Sequence, residues 1–233
     1  MKLFKQIRQT MIKEGKLKRY LLYAIGEILL VMIGISLAFQ LNNWNDNRIK
    51  ENTEVTYYQN IKDQIEDDKV LIQEQAAYNN RYLVQFKYAN EILEANDRSK
   101  MDTLGLIVHK FTQYSDFDRK GNIYETLVNS GEIKLLKNLN IVNNIRGLEE
   151  KYNYVNRMEN IHYDAMMTHV IKTIYPIIRF SDSSVQRPDL LYTYEFQNLA
   201  LSLIQVMIEK NQVYNETIDE IDNIRNLINM ELK

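Results

Sequence analysis

Several groups of side chains in this sequence are of a kind that could do chemistry. Glu27 lies inside an apolar run, with no basic residue nearer than Arg19. An ionised carboxylate in a hydrocarbon layer costs at least about 2.5 kcal/mol, so Glu27 should be protonated, paired, or lining a wet path for protons or ions. Glu66, Asp67 and Asp68 follow one another and could offer oxygen ligands to a divalent cation. Consecutive helical residues point in three directions, however, and the trio reads as a mostly solvated face. His162 and His169 are seven apart and share a helix face. Zinc sites built on a helix usually place histidines at i and i+4, and no third ligand declares itself. Both therefore read as core histidines beside Met166, while His109 stands alone. Sixteen tyrosines raise the thought of an aromatic ligand cage, against the usual arrangement in which the ring packs and the hydroxyl is wetted.

Other catalytic signatures are missing. There is no Gly-rich phosphate loop, GxSxG, HExxH or Walker lysine. The absence of cysteine excludes disulfides, thiolate metal sites and cysteine nucleophiles. The expectation is a protein that is not an enzyme and takes no cofactor and no metal.

The element that must position Glu27 is the stretch Tyr20 to Leu41, YLLYAIGEILLVMIGISLAFQL. As a helix, its roughly 22 residues reach about 33 Å, enough to cross a hydrocarbon core of about 30 Å. Tyr20 at one end and Trp44 at the other suit the two membrane interfaces. At about 100° per residue, Tyr23, Glu27, Gly34, Ala38 and Leu41 fall within about 40° of one line. The carboxyl thus shares a face with the small pair Gly34 and Ala38, a surface that lets helices approach closely, so a seam between identical chains would hide it from lipid. Two other readings of Glu27 stay open: a protonated carboxyl reaching Arg19 or headgroups, and an ion pathway.

Before the span stand seven basic residues and one acidic one, whereas the fifteen residues after it hold only Arg48 and Lys50. The positive-inside rule then keeps the N-terminus cytoplasmic and exports the rest. A cleaved signal peptide is the competing reading, since Ser36 and Ala38 make a small-x-small site. The length of the run and Glu27 itself speak for an anchor. Residues 1–19 carry net +6, so with −2 overall the remainder carries −8. The leader, with Leu3, Phe4, Ile7, Met11 and Ile12 spaced along one face, suits an anionic inner leaflet, and the acidic remainder argues against nucleic acid.

Only seven Gly and two Pro occur in 233 residues, leaving little turn chemistry for sheets. The fold class expected is all-α: a leader over 1–19, a span over 20–41, and an up-and-down bundle over 42–233 with three long and two short helices. The first long helix runs to about Asn96, its seam holding Tyr58, Ile61, Ile65, Ile72, Tyr82, Phe86, Ala89 and Leu93. That seam also contains Asp68, Gln75 and Asn79, a possible polar layer fixing register or oligomeric state. Short helices are expected from Asp102 or Thr103 to Tyr114 and from Ile123 to Asn129, the second closed by a left-handed Gly131. A long helix starts at Asn138 or Asn140 with the stripe Ile141, Ile145, Leu148, Tyr152, Val155, Glu159, His162, Met166, His169, up to Pro176. A last helix runs from Pro188 to the end, with Phe196, Leu199, Leu203, Val206, Val213, Ile221, Ile224 and Ile228 inward.

The run GEILLVMIGISLAFQLNNWND after a basic leader, and the segment YETLVNSGEIKLLKN, resemble an uncharacterised single-pass membrane family common in Bacteroidetes. That resemblance implies a membrane anchor in a Gram-negative envelope, which with the charge bias means an inner-membrane protein with a cytoplasmic N-terminus and a periplasmic C-terminal domain, and it transfers no activity to any residue. Three functional classes follow. The first is a homo-oligomeric, membrane-anchored scaffold or interaction module with an envelope protein as possible partner. The second is an extracytoplasmic sensor signalling through a partner chain, and the third an ion-coupled or channel-forming subunit that uses Glu27.

Overall fold

The computed structural model describes residues 17–119 and 121–233, without the side chains of Leu17, Arg19 and Tyr20. The amphipathic leader, up to its last three positions, and the Tyr20 interface anchor lie outside the described residues. The chain divides into two compact units, Met1–Glu54 and Val55–Lys233. Helix α1, Leu17–Glu94, supplies residues to both.

From Leu21 to Leu41, apart from Glu27 and Gln40, α1 is apolar around its whole circumference, as buried or membrane helices are. Fourteen large apolar side chains from Leu21 to Trp44 are more than half exposed, reaching 74% at Leu30. Trp44 closes the run, with the Arg48 guanidinium over its ring at 5.4 Å.

The second unit is a helical bundle. Its long members are the later part of α1, α4 (Leu139–Ala165) and α7 (Tyr194–Glu231). Between α1 and α4 come α2 (Met101–His109) and α3 (Ile123–Ser130), each followed by a 3₁₀ turn. After α4 come a π-helical turn at Met166–Val170, the short α5 (Ile171–Ile174), strands β1 (Ile178–Arg179) and β2 (Ser184–Val185), and α6 (Pro188–Leu191). Local chemistry explains the boundaries. Asn122 caps α3 by accepting from Glu125 N, and Gly131 ends it at φ 76°. Asn138 caps α4, accepting from Asn140 N and Ile141 N.

The order of the long helices differs from the expected up-and-down arrangement. Tyr58 meets Asn138, and Asp68 meets Tyr152, so α1 and α4 run parallel. Lys69 meets Asp222 and Asn79 meets Asn211, so α7 runs antiparallel to α1. The return stroke between α1 and α4 is made by an extended strap, residues 113–119, which carries no regular secondary structure. Its contacts descend α1 from Tyr78 to Gln75, and the chain beyond it reaches Gln64. Extended chain advances about 3.3 Å per residue against 1.5 Å for helix, so the stretch from Gln113 to Gly121, with a reach of about 26 Å, can follow the roughly 21 Å of α1 from Tyr78 back to Gln64, about four helical turns.

Three further details depart from the expected elements. The last helix is not continuous from Pro188: Thr193, with extended φ and ψ, accepts from Phe196 N and nucleates α7 anew. The stretch between α5 and α6, where no strand was expected, carries the β1–β2 hairpin, pairing Ile178 with Val185. It docks on α2 where Gly105 has no side chain, since a Cβ there would lie 2.5 Å from Ser183 O. Finally, His169 is exposed and not on the core stripe. The π turn takes more residues per revolution than an α-helix, so Val170, fully buried, occupies the inward position.

Two apolar cores fill the bundle. One gathers Leu83, Phe86, Phe111, Val170, Ile174, Phe196 and their neighbours, and the other gathers Ile61, Ile72, Leu148, Val155, Ile221, Ile224 and theirs. Between them along the helices sits a polar layer.

Candidate functional site

The layer forms because the strap brings unpaired backbone groups into the bundle. A buried N–H or C=O must find a partner, and an extended segment among helices has no ladder to supply one. Side chains do so instead. Gln75 Oε1 accepts from Asp116 N at 3.1 Å and Glu159 Oε1 from Phe117 N at 2.9 Å. Lys210 Nζ donates to Ser115 O at 2.9 Å. The Tyr214 hydroxyl donates to Glu159 Oε1 and lies 2.9 Å from Ser115 Oγ. Below the strap, Gln64 donates to Gly121 O and accepts from Ile123 N, both at 2.8 Å. Each bond is worth about 1 kcal/mol net, but a buried group left unpaired costs about 1–3 kcal/mol.

Lys210 is 1% exposed, Glu159 3% and His162 0%. Lys210 Nζ also approaches His162 Nδ1 at 3.4 Å. Glu159 Oε2 and His162 Nε2 are buried without a hydrogen-bond partner. Burial dominates the electrostatics. It pushes Glu159 above the usual carboxylate range, against the pull of Tyr214, Phe117 N and Lys210. It lowers Lys210 to about 8 despite the nearby Glu159 and Asp116 charges. It holds His162 down to about 3, helped by the Lys210 charge, and so keeps the imidazole neutral. Tyr214 is raised by burial and by Glu159. The cluster holds a strap and is closed off from solvent.

A second network anchors the strap's lower end. Arg119 forms a two-pronged pair with Glu149 at 2.8 and 2.6 Å and stacks over Tyr152 at 4.7 Å. Tyr152 donates to Asp68 Oδ2 at 3.0 Å, and burial raises the Asp68 pKa.

The expected polar positions are therefore divided. Gln75 and Asn79 lie in the layer, Asn79 donating to Met207 O and Asn211 Oδ1 at 2.8 Å each. Asp68 belongs to the Arg119 network two turns away. Its neighbours differ in setting: Asp67 is exposed and Glu66 pairs with Arg225. His109 is engaged, its Nδ1 2.7 Å from Ser183 Oγ and its ring stacked on Phe180. Among the described residues no group of three or more His, Asp or Glu could hold a metal. In the first unit, Tyr23 and Glu27 are half-buried and neither is a free side chain. Gly34 has open space around its Cβ position, and Ala38, Leu41 and Trp44 are exposed.

Ser115, Lys210 and Tyr214 were not among the expected polar residues. Ser115 sits in a stretch whose composition reads as a loop. Lys210 carried a signal: it stands seven residues after Leu203 and three before Val213, where the apolar stripe of α7 calls for an aliphatic side chain.

The described residues define an all-α protein: a helical bundle stapled through its core by a polar-held strap, with one helix long and apolar enough to cross a membrane. The chain belongs to a family of unknown function, DUF6090, whose model matches residues 27–199. The matched stretch contains Glu27, Asp68, Ser115, Glu159 and His162; Lys210 and Tyr214 lie beyond it. No curated protein and no solved structure matches the chain.

Proposed function

We propose that the protein is a non-enzymatic, membrane-anchored helical bundle that acts as a homo-oligomeric scaffold or interaction module of the cell envelope. Its N-terminus is cytoplasmic and its bundle periplasmic. The observation that carries this reading is the row of fourteen exposed apolar side chains between Leu21 and Trp44. Soluble monomers rarely leave more than a few hundred Å² of contiguous apolar surface uncovered, and a single helix apolar all round is covered by lipid or by another copy. The excess of basic residues before the span supports the direction. Open space at Gly34 supports close approach of a second span, which would cover Glu27 on the same face. The hold of Lys210 and Glu159 on the strap backbone, at Ser115 O and Phe117 N, supports a rigid platform over a reaction centre. Reporter fusions test the placement. A reporter active only in the cytoplasm should work when fused before Met1, and one active only outside should work after Lys233. Cytoplasmic activity after Lys233 would overturn it.

A further inference from the structure

The π-helical turn at Met166–Val170 has an effect beyond the core. It swings His169 out of the stripe, to the rim of a groove of about 660 Å³. Such turns are rare, are poorer in hydrogen-bond geometry than a regular helix, and recur at functional sites. The groove's volume lies within the range of roughly 300–1,000 Å³ typical of small-molecule sites. Its apolar lining is Pro176, Leu190 and Leu199, with Ile177 and Phe196 buried just beneath, and its rim includes His169, Glu195 and Asn198. Among the described residues lining it, Glu195 is the one acidic side chain and none is a lysine or arginine. Backbone and Tyr194 hydrogen bonds hold the Glu195 carboxyl below its ordinary range, so it is ionised at neutral pH.

We propose that this groove binds a small organic cation of the arylalkylamine class. The apolar body lies on Leu190 and Leu199, the ammonium faces Glu195, and His169 and Asn198 supply hydrogen bonds. An anionic ligand of the same shape meets Glu195 with like charge and is rejected. The site lies wholly within the bundle and does not depend on where the protein sits in the cell.

The test uses the full chain in lipid nanodiscs with labelled isoleucine and leucine methyl groups. Tryptamine is titrated against indole-3-acetate while the Ile177 and Leu199 resonances are followed, so that partition of the probe into lipid does not register. Tryptamine should shift both saturably and bind about fivefold or more tighter than indole-3-acetate, the scale of an exposed ion pair. Glu195→Gln should bring the two probes within about twofold of each other. His169→Ala, at an exposed position, should fold normally and weaken tryptamine about threefold. No saturable shift at Ile177 and Leu199, equal affinities in the parent, or a charge preference that survives Glu195→Gln would each overturn the proposal.

Discussion

Replacing His162 should make the bundle more resistant to acid. Burial, and then the Lys210 ammonium, hold the imidazole down to about 3, against about 6.5 in an unfolded chain. Between those values the unfolded state binds a proton that the folded state refuses, so stability falls as pH falls. The full gap amounts to about 5 kcal/mol and is reached only near pH 3; at about pH 4.5 roughly 3 kcal/mol of it has been lost. Glu159 acts in the opposite direction. Its raised pKa lets the folded state take up a proton first, so it adds stability as pH falls towards the ordinary carboxylate range. Asp68, raised by burial, acts in the same direction as Glu159, so the parent shows the histidine effect partly offset. His162→Asn isolates the histidine, because it keeps an acceptor near the Nδ1 position and does not titrate. Urea melts of the full chain, run from about pH 7.5 to about pH 4.5, measure the change for each protein. The parent should lose about 3 kcal/mol more than the variant across that range. Curves that stay parallel within about 0.5 kcal/mol would mean that His162 is not held neutral by its surroundings, and the electrostatic account of the layer would fail.

Lys210→Met leaves Ser115 O without its donor and Glu159 without a cation, and should cost about 3–5 kcal/mol in urea melts. Adding Glu159→Gln should recover part of that loss, with a coupling of about 1–3 kcal/mol between the two sites. Gly105→Ala would ordinarily favour a helix by about 1 kcal/mol, but here the new Cβ meets Ser183 O at 2.5 Å and Val185 Cγ2 at 3.1 Å. It should therefore destabilise by about 1–3 kcal/mol and speed hydrogen exchange at residues 178–185; unchanged exchange would show that the hairpin does not rest on α2. Gly34→Leu should lower the oligomer recovered in mild detergent, whereas Glu27→Gln, which keeps the size of a protonated carboxyl, should assemble and function as the parent does. Loss of function in Glu27→Gln with assembly intact would favour an ion pathway.

The helices themselves were legible in the residues. An apolar run of helical length, stripes at three and four, the start at Asn138 and the left-handed Gly131 are local signals, and local geometry turns them into α1, α3 and α4. The burial of Asp68, Glu159 and His162 was legible too, because periodicity states which face of a helix turns inward. It does not state what that face meets. Gln75 and Asn79 stood on the seam of α1, yet only the fold shows Gln75 answering the backbone of a strap 41 residues on, and Asn79 a residue of α7 132 residues on. Lys210 and Ser115 are 95 residues apart, and Tyr214 and Ser115 are 99. Such pairings follow from the extended return stroke, which makes α1 and α4 parallel and carries backbone into the core. That path is chosen by the whole chain's need to bury two apolar clusters at once, and no window of sequence contains it. His169 marks the same limit at short range. Its spacing from His162 reads as core on a regular helix, and one wide turn, set by packing around Met166 and Val170, places it outside.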